Sequence, residues 1–163
     1  MIKGLHHNAY RCRDSEETRR FYEGFLGLRF AHALRISESM TGRHTDVLHT
    51  FYEMDDGSYL AFFEAPDRPF EFKDQHDYDL HIALEVDADT LQRMFDKGRQ
   101  EGREVRGISN HRFIHSIYFR DPSGYVIELT AKMPGHDSAM DPSTNNAAGI
   151  LDAWQKDKMR ETV

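Results

Sequence analysis

The feature that most constrains this chain is an internal repeat. His7, Ala9, Phe21 and Arg29 recur as His81, Ala83, Phe95 and Arg103, each displaced by 74 positions. A repeat of this length describes two copies of one supersecondary unit. In each copy a strand carries the histidine (residues 4–12 and 79–86), and a helix follows (15–26 and 88–101). The first helix starts at Asp14 or Ser15 with Glu17 near the capping-box position, the second at Asp87 or Asp89, and the glycines Gly27 and Gly102 end them. Phe21, Tyr22 and Phe25, then Leu91, Met94 and Phe95, fall at helical spacing and read as core. Three strand patterns complete each copy: 28–36, 46–54 and 58–64 around the turn Met54-Asp55-Asp56-Gly57, and 104–108, 113–120 and 125–131 around Asp121-Pro122-Ser123-Gly124. The unit is β-α-β-β-β, twice.

The expected fold is therefore α+β. Two βαβββ modules (about 3–64 and 78–131) form a β-cup within a domain spanning 1–133, followed by a C-terminal extension, 134–163, with one helix near 147–160. That helix shows Ile150, Leu151, Trp154 and Met159 as an apolar stripe, which packs either over the cup or against a second subunit. At 163 residues the chain can bury a core without staples, and its single cysteine, Cys12, excludes an internal disulfide. The net charge of −7, with no basic run, argues against a nucleic-acid partner. No apolar run approaches the roughly 18 residues that span a bilayer, so a cytoplasmic protein without a membrane partner is expected.

Ten histidines exceed ordinary usage, and position separates ligands from the rest. His7 and His81 occupy the same place in two symmetry-related strands, so they can converge on one point. His6 must face the other side of its strand. Glu128 lies in the otherwise apolar run Val126, Ile127, Leu129, where an unpaired carboxylate is costly unless it binds a metal or an ion-pair partner. A register pairing Tyr118 with Val126 and Ser116 with Glu128 places Ser116, Tyr118 and Glu128 on one face. Two imidazoles and a carboxylate suit Fe(II), Mn(II) and related ions.

The segments His7-Asn8-Ala9-Tyr10-Arg11-Cys12-Arg13-Asp14, Phe21-Tyr22, Leu26-Gly27, Leu80-His81-Ile82-Ala83-Leu84-Glu85-Val86 and Ser116-Ile117-Tyr118-Phe119-Arg120-Asp121-Pro122-Ser123-Gly124 ending at Glu128 resemble the vicinal oxygen chelate superfamily over residues 3–131. That superfamily holds glyoxalases, fosfomycin-resistance transferases, epimerases, metal-free binding modules and type I extradiol dioxygenases. The resemblance implies a metal site of His7, His81 and Glu128. Glyoxalase-like members take a fourth ligand at a place where this chain has Ala61; Glu64, three residues on, should face away by strand parity.

Three protein ligands leave room for two vicinal substrate oxygens and dioxygen, which points to a small extradiol-type dioxygenase. The resemblance then implies Fe(II), with Mn, Ni, Zn or Co as alternatives, a small aromatic diol and dioxygen as partners, a role in aromatic compound catabolism, and a homodimer. It assigns Tyr118 to orienting a substrate oxygen and His111 to managing protons. The expected acid/base histidine near residues 66–68 is missing, since Pro66-Asp67-Arg68 stands there, which leaves its role to His76, to His49 or to no residue. A glyoxalase-, epimerase- or transferase-like lyase or isomerase, and a non-catalytic binding module, are the rival readings. Phe51, Tyr52, Phe62, Phe63 and Phe113 are candidate pocket walls.

Overall fold

The computed structural model describes residues 1–38, 40–73, 76 and 78–160, with side chains through 158, so Met159 of the expected stripe lies outside the described side chains. Both modules are present. The first runs β1 (Tyr10–Arg11), α1 (Ser15–Arg19, continued by a π-helical turn Arg20–Phe25), β2 (Arg29–Glu38), β3 (His44–Glu53) and β4 (Tyr59–Glu64). The second runs β5 (His81–Glu85), α2 (Ala88–Gln100), β6 (Val105–Asn110), β7 (Ile114–Arg120) and β8 (Val126–Lys132). Each forms a four-stranded mixed sheet, ordered β1-β4-β3-β2 and β5-β8-β7-β6, whose first strand lies parallel to its last.

Local chemistry accounts for the boundaries. Asp14 caps α1 by accepting the Glu17 amide at 2.7 Å, and Asp87 caps α2 by accepting that of Thr90 at 2.6 Å. The first helix widens where the Leu26 amide reaches back to the Phe21 carbonyl (2.9 Å), and it stops at Gly27, whose φ of 86° suits glycine. The first strand is shorter than the sequence suggests: His7 makes only an isolated bridge to Tyr59. Next to it the Asn8 side chain, at 3.4 Å, takes the Ala61 amide, so a side-chain contact replaces a ladder bond.

The expected register of the second hairpin is corrected by two residues. Tyr118 pairs with Glu128, Ser116 with Thr130 and Arg120 with Val126. The turn is longer than assumed, with residues 121–125 lying between the paired Arg120 and Val126, because the Asp121 carboxylate accepts the Ser123 and Tyr125 amides (both 2.9 Å) and holds all of them out of the ladder. A shift of two preserves the face, so Ser116, Tyr118 and Glu128 still share one side.

The two helices pack the modules together. Phe21, Tyr22, Phe25, Tyr52 and Phe62 join Leu91, Ile117, Phe119, Ile127 and Leu129 in one buried cluster. The Phe25 and Phe119 rings meet edge to face at 5.1 Å, Tyr22 Oη donates to Asp121 at 2.9 Å, and Lys97 Nζ donates to the Phe25 carbonyl at 2.7 Å. Tyr52 and Phe62, expected as pocket candidates, are wholly buried against Tyr22 instead. With helices claiming one face of each sheet, the histidines sit on the other. Beyond β8 come α3 (His136–Met140), a turn of helix where the sequence suggested only loose chain, and α4 (Ala147–Arg160). Ile150, Leu151 and Trp154 are exposed on α4, so this stripe does not cover the chain's own cup. No described helix is long and apolar enough to cross a membrane.

Candidate metal centre

Across the second sheet, Arg106, Tyr118 and Glu128 form one row of register partners, with Ala83 continuing it on β5. His81 lies beside this row at the start of β5. Its Nε2 is 3.3 Å from Glu128 Oε2, and the carboxylate is nearly buried at 5% exposure. Tyr118 Oη donates to the other carboxylate oxygen, Oε1, at 3.3 Å, and His111 Nε2 is 2.9 Å from the same hydroxyl. Glu128, Tyr118 and His111 thus form a continuous hydrogen-bonded chain. A cavity of about 700 Å³ opens over it, walled by Tyr78, Arg106, Phe113 and Arg112 among others.

The remaining expected ligand is elsewhere. His7 lies on the first sheet, with His6 Nδ1 at 2.8 Å from its own Nδ1 and its ring 5.5 Å from Phe51 and 6.2 Å from His49. Among the described residues, no three His, Cys, Asp or Glu side chains are grouped to hold a metal ion. One chain therefore fits a metal in part. Two ligand atoms of an ion bound at about 2.1 Å stand roughly 3 Å apart in an octahedron, close to the His81–Glu128 separation.

Other expected residues divide clearly. Ala61 is fully buried opposite Phe51. Glu64 turns toward the helix, where its Oε2 accepts the Ser15 amide at 2.7 Å. His76 is exposed and accepts the Tyr78 amide at 3.2 Å. His49 stands beside His7, its ring stacked on Phe63 at 3.7 Å. Its Nδ1 is 3.0 Å from the Phe62 carbonyl. A carbonyl only accepts, so Nδ1 carries the proton and Nε2 keeps its lone pair. Burial depresses the His49 pKa, which favours this neutral ring.

The sequence reading did not anticipate Arg106, Arg112, Ser109, Asn110 and Tyr78 as cavity walls. The signal that could have located Arg106 is its pairing with Tyr118, but an irregularity between Gly107 and Ser109 hides that register from simple alternation. A second hollow of similar volume, lined by Asp55, Asp56, Glu85, Asp87 and Lys132, contains neither a histidine nor an aromatic wall.

Comparisons with known proteins agree with this architecture. Similar structures include a glyoxylase/bleomycin resistance protein/dioxygenase domain from Frankia sp. EAN1pec (TM-score 0.63, 17% identity, 82% of this chain and 100% of that one). A glyoxalase/dioxygenase from Nostoc punctiforme aligns with TM-score 0.60 and 21% identity over 80% and 92% of the two chains. A point mutant of the fosfomycin resistance protein FosX from Listeria monocytogenes, complexed with Mn(II) and 1S,2S-dihydroxypropylphosphonic acid, aligns with TM-score 0.62 and 19% identity over 84% and 98%. At these identities the likeness is one of fold. No curated protein matches the chain. A family model matches residues 4–129, and with the paired modules it places the chain in the Glyoxalase/Bleomycin resistance protein/Dioxygenase superfamily.

Proposed function

We propose that this protein is a mononuclear metal-dependent, extradiol-type dioxygenase that opens a small aromatic diol, with its centre assembled across a homodimer. His81 and Glu128 of one copy hold the ion together with His7 of the other. The observation that carries this reading is the hydrogen-bonded chain from Glu128 through Tyr118 to His111, inside a partly aromatic-walled cavity that also contains His81. Ala61 at the fourth-ligand position keeps the donor set at three.

A bound divalent ion, Fe(II) in this reading, supplies positive charge that favours the ionised diol and the redox capacity for ring opening. The protein's part is positional. Tyr118, already hydrogen-bonded to Glu128 and His111, is set to orient a substrate oxygen. With the Tyr118 hydrogen directed at Glu128, His111 Nε2 is the donor to the hydroxyl, so His111 is placed to give a proton through Tyr118 toward the opened product. Phe113 and Tyr78 offer apolar surface to the ring.

A second reading, favoured by the fold's similarity to the Mn(II)-containing FosX structures, is a redox-inert enzyme of lyase, isomerase or transferase type. Protein purified without air and analysed for metal separates the two. The dioxygenase reading expects iron and catechol-dependent oxygen uptake with growth of a ring-opened chromophore. Turnover supported only by Mn, Ni, Zn or Co, without oxygen uptake, refutes it.

A further inference from the structure

We propose that the molecule bound between the two histidine-bearing faces carries a hydrogen-bond donor on its aromatic ring, an O–H or N–H besides the oxygens that reach the ion, and that His49 receives it through Nε2. This rests on the reading of the two faces as halves of one site, but needs neither iron nor oxygen.

The first sheet sets His49 on its outward face. His49 pairs with Phe63 and Phe51 with Ala61, while Tyr52 and Phe62, one residue along in each strand, are buried in the core. Alternation therefore puts His49, Phe51, Ala61 and Phe63 together on the side away from the helices. His7 joins them, its ring 5.5 Å from Phe51 and 6.2 Å from His49. In a shared centre this face meets the other copy's cavity.

His49 is 7% exposed, and three contacts fix its ring. It stacks on Phe63 with centroids 3.7 Å apart and planes 13° from parallel, Phe51 stands at 4.2 Å, and Nδ1 donates to the Phe62 carbonyl at 3.0 Å. That donation sets the tautomer, so Nε2 of the neutral ring is an acceptor. Among the described residues, Nε2 meets no donor. His7 differs, because its Nδ1 and that of His6 are 2.8 Å apart and serve one another. A nearly buried acceptor without a donor is costly once water is excluded, and a ligand's donor recovers that cost. The ring is already held, so little freedom is lost on binding.

The surroundings choose the body of the ligand. Phe51 and Phe63 flank His49 with half-buried rings, which favour an aromatic partner stacked or edge-on. With the His49 and His7 centroids 6.2 Å apart, a single ring whose oxygens reach an ion at His7 lies beside His49. A site that pairs a buried acceptor with a ligand's donor rejects the analogue lacking that donor.

The test is equilibrium binding to metal-stripped protein without oxygen at about pH 8, where imidazole is neutral, comparing phenol and aniline with anisole. Anisole accepts but does not donate, and it is the most apolar of the three, so burial alone favours it. At least one of phenol and aniline is expected to bind about fivefold tighter than anisole, and the tighter of the two names the donor. In protein with isotope-labelled histidine nitrogens, the His49 Nε2 resonance, assigned by its absence in His49→Phe and His49→Gln, should shift as the tighter donor saturates and stay in place with anisole. His49→Phe keeps the stack on Phe63 and should bind anisole at least as well as either donor. His49→Gln retains an acceptor and should restore part of the preference. Anisole binding as tightly as both donors, binding of none of the three, an unmoved His49 resonance, or a preference surviving His49→Phe overturns the proposal. Failure of the dioxygenase reading is seen separately, as absent oxygen uptake by iron-loaded protein in air while the His49-dependent preference persists.

Discussion

If each metal centre takes His7 from one copy and His81 with Glu128 from another, two inactive variants should repair one another. In His7→Ala the second module is intact; in His81→Ala the first is intact. Either homodimer lacks one ligand at both sites and should retain little metal after gel filtration. In the heterodimer, one site combines intact His7 with intact His81 and Glu128, and the other collects both lesions. Random pairing makes about half the dimers heterodimers, with one sound site in two, so co-expression should restore about a quarter of wild-type metal and activity. The control is as informative. His81→Ala and Glu128→Ala damage the same module, whose paired side chains lie 3.3 Å apart, so no heterodimer of these two contains a sound site and recovery should be nil. Metal content per chain, measured with activity on tagged heterodimers, reads both outcomes. A heterodimer of the first pair without metal, or a wild-type monomer that retains a full equivalent of it, refutes the shared centre.

Further predictions concern the scaffold and the proton path. Tyr22→Phe removes the buried hydrogen bond to Asp121 that links the modules and should cost about 1–3 kcal/mol in urea unfolding. Gly98→Ala sets a Cβ 2.6 Å from a ring carbon of the buried Phe119, and overpacking there should cost about 1–3 kcal/mol by the same assay. Tyr118→Phe breaks the link between Glu128 and His111 and should leave metal content unchanged while slowing turnover about 10²-fold or more. The Thr90 amide holds the Asp87 carboxyl below its ordinary pKa. Its contribution should be full above the ordinary aspartate value and fade as pH falls through the lowered one. The melting-temperature gap between wild type and Asp87→Ala should therefore be constant near neutrality and narrow below about pH 4.

What the sequence could reveal depended on whether the governing interaction was local. The caps at Asp14 and Asp87, the stop at Gly27 and the Asp121 turn involve neighbours within a few residues, so composition and spacing were enough to place them. The two modules were legible because the repeat aligns their strands. Glu64 was read correctly by parity, since alternation along a strand needs no knowledge of the partner. The hairpin register failed by two because it depends on how many residues the turn takes up, and that is decided by a carboxylate accepting two amides. Arg106 escaped notice for a related reason: it meets Tyr118 only across a strand pair with an irregular register.

The position of His7 exposes a deeper limit. Repeat symmetry says that His7 and His81 are equivalent, but equivalence is satisfied equally by convergence within a chain and by exchange between two. What decides is which faces the helices bury. Phe25 against Phe119 and Tyr22 against Asp121 join the modules through their helical sides and leave both histidine-bearing faces turned outward. A buried carboxylate paired with only one imidazole, and a histidine with its neighbours His49 and Phe51 on the other sheet, then read as two halves of one site. A symmetric pair of chains can join such halves twice over, because a two-fold axis that brings His7 of the first copy to Glu128 of the second necessarily does the reverse.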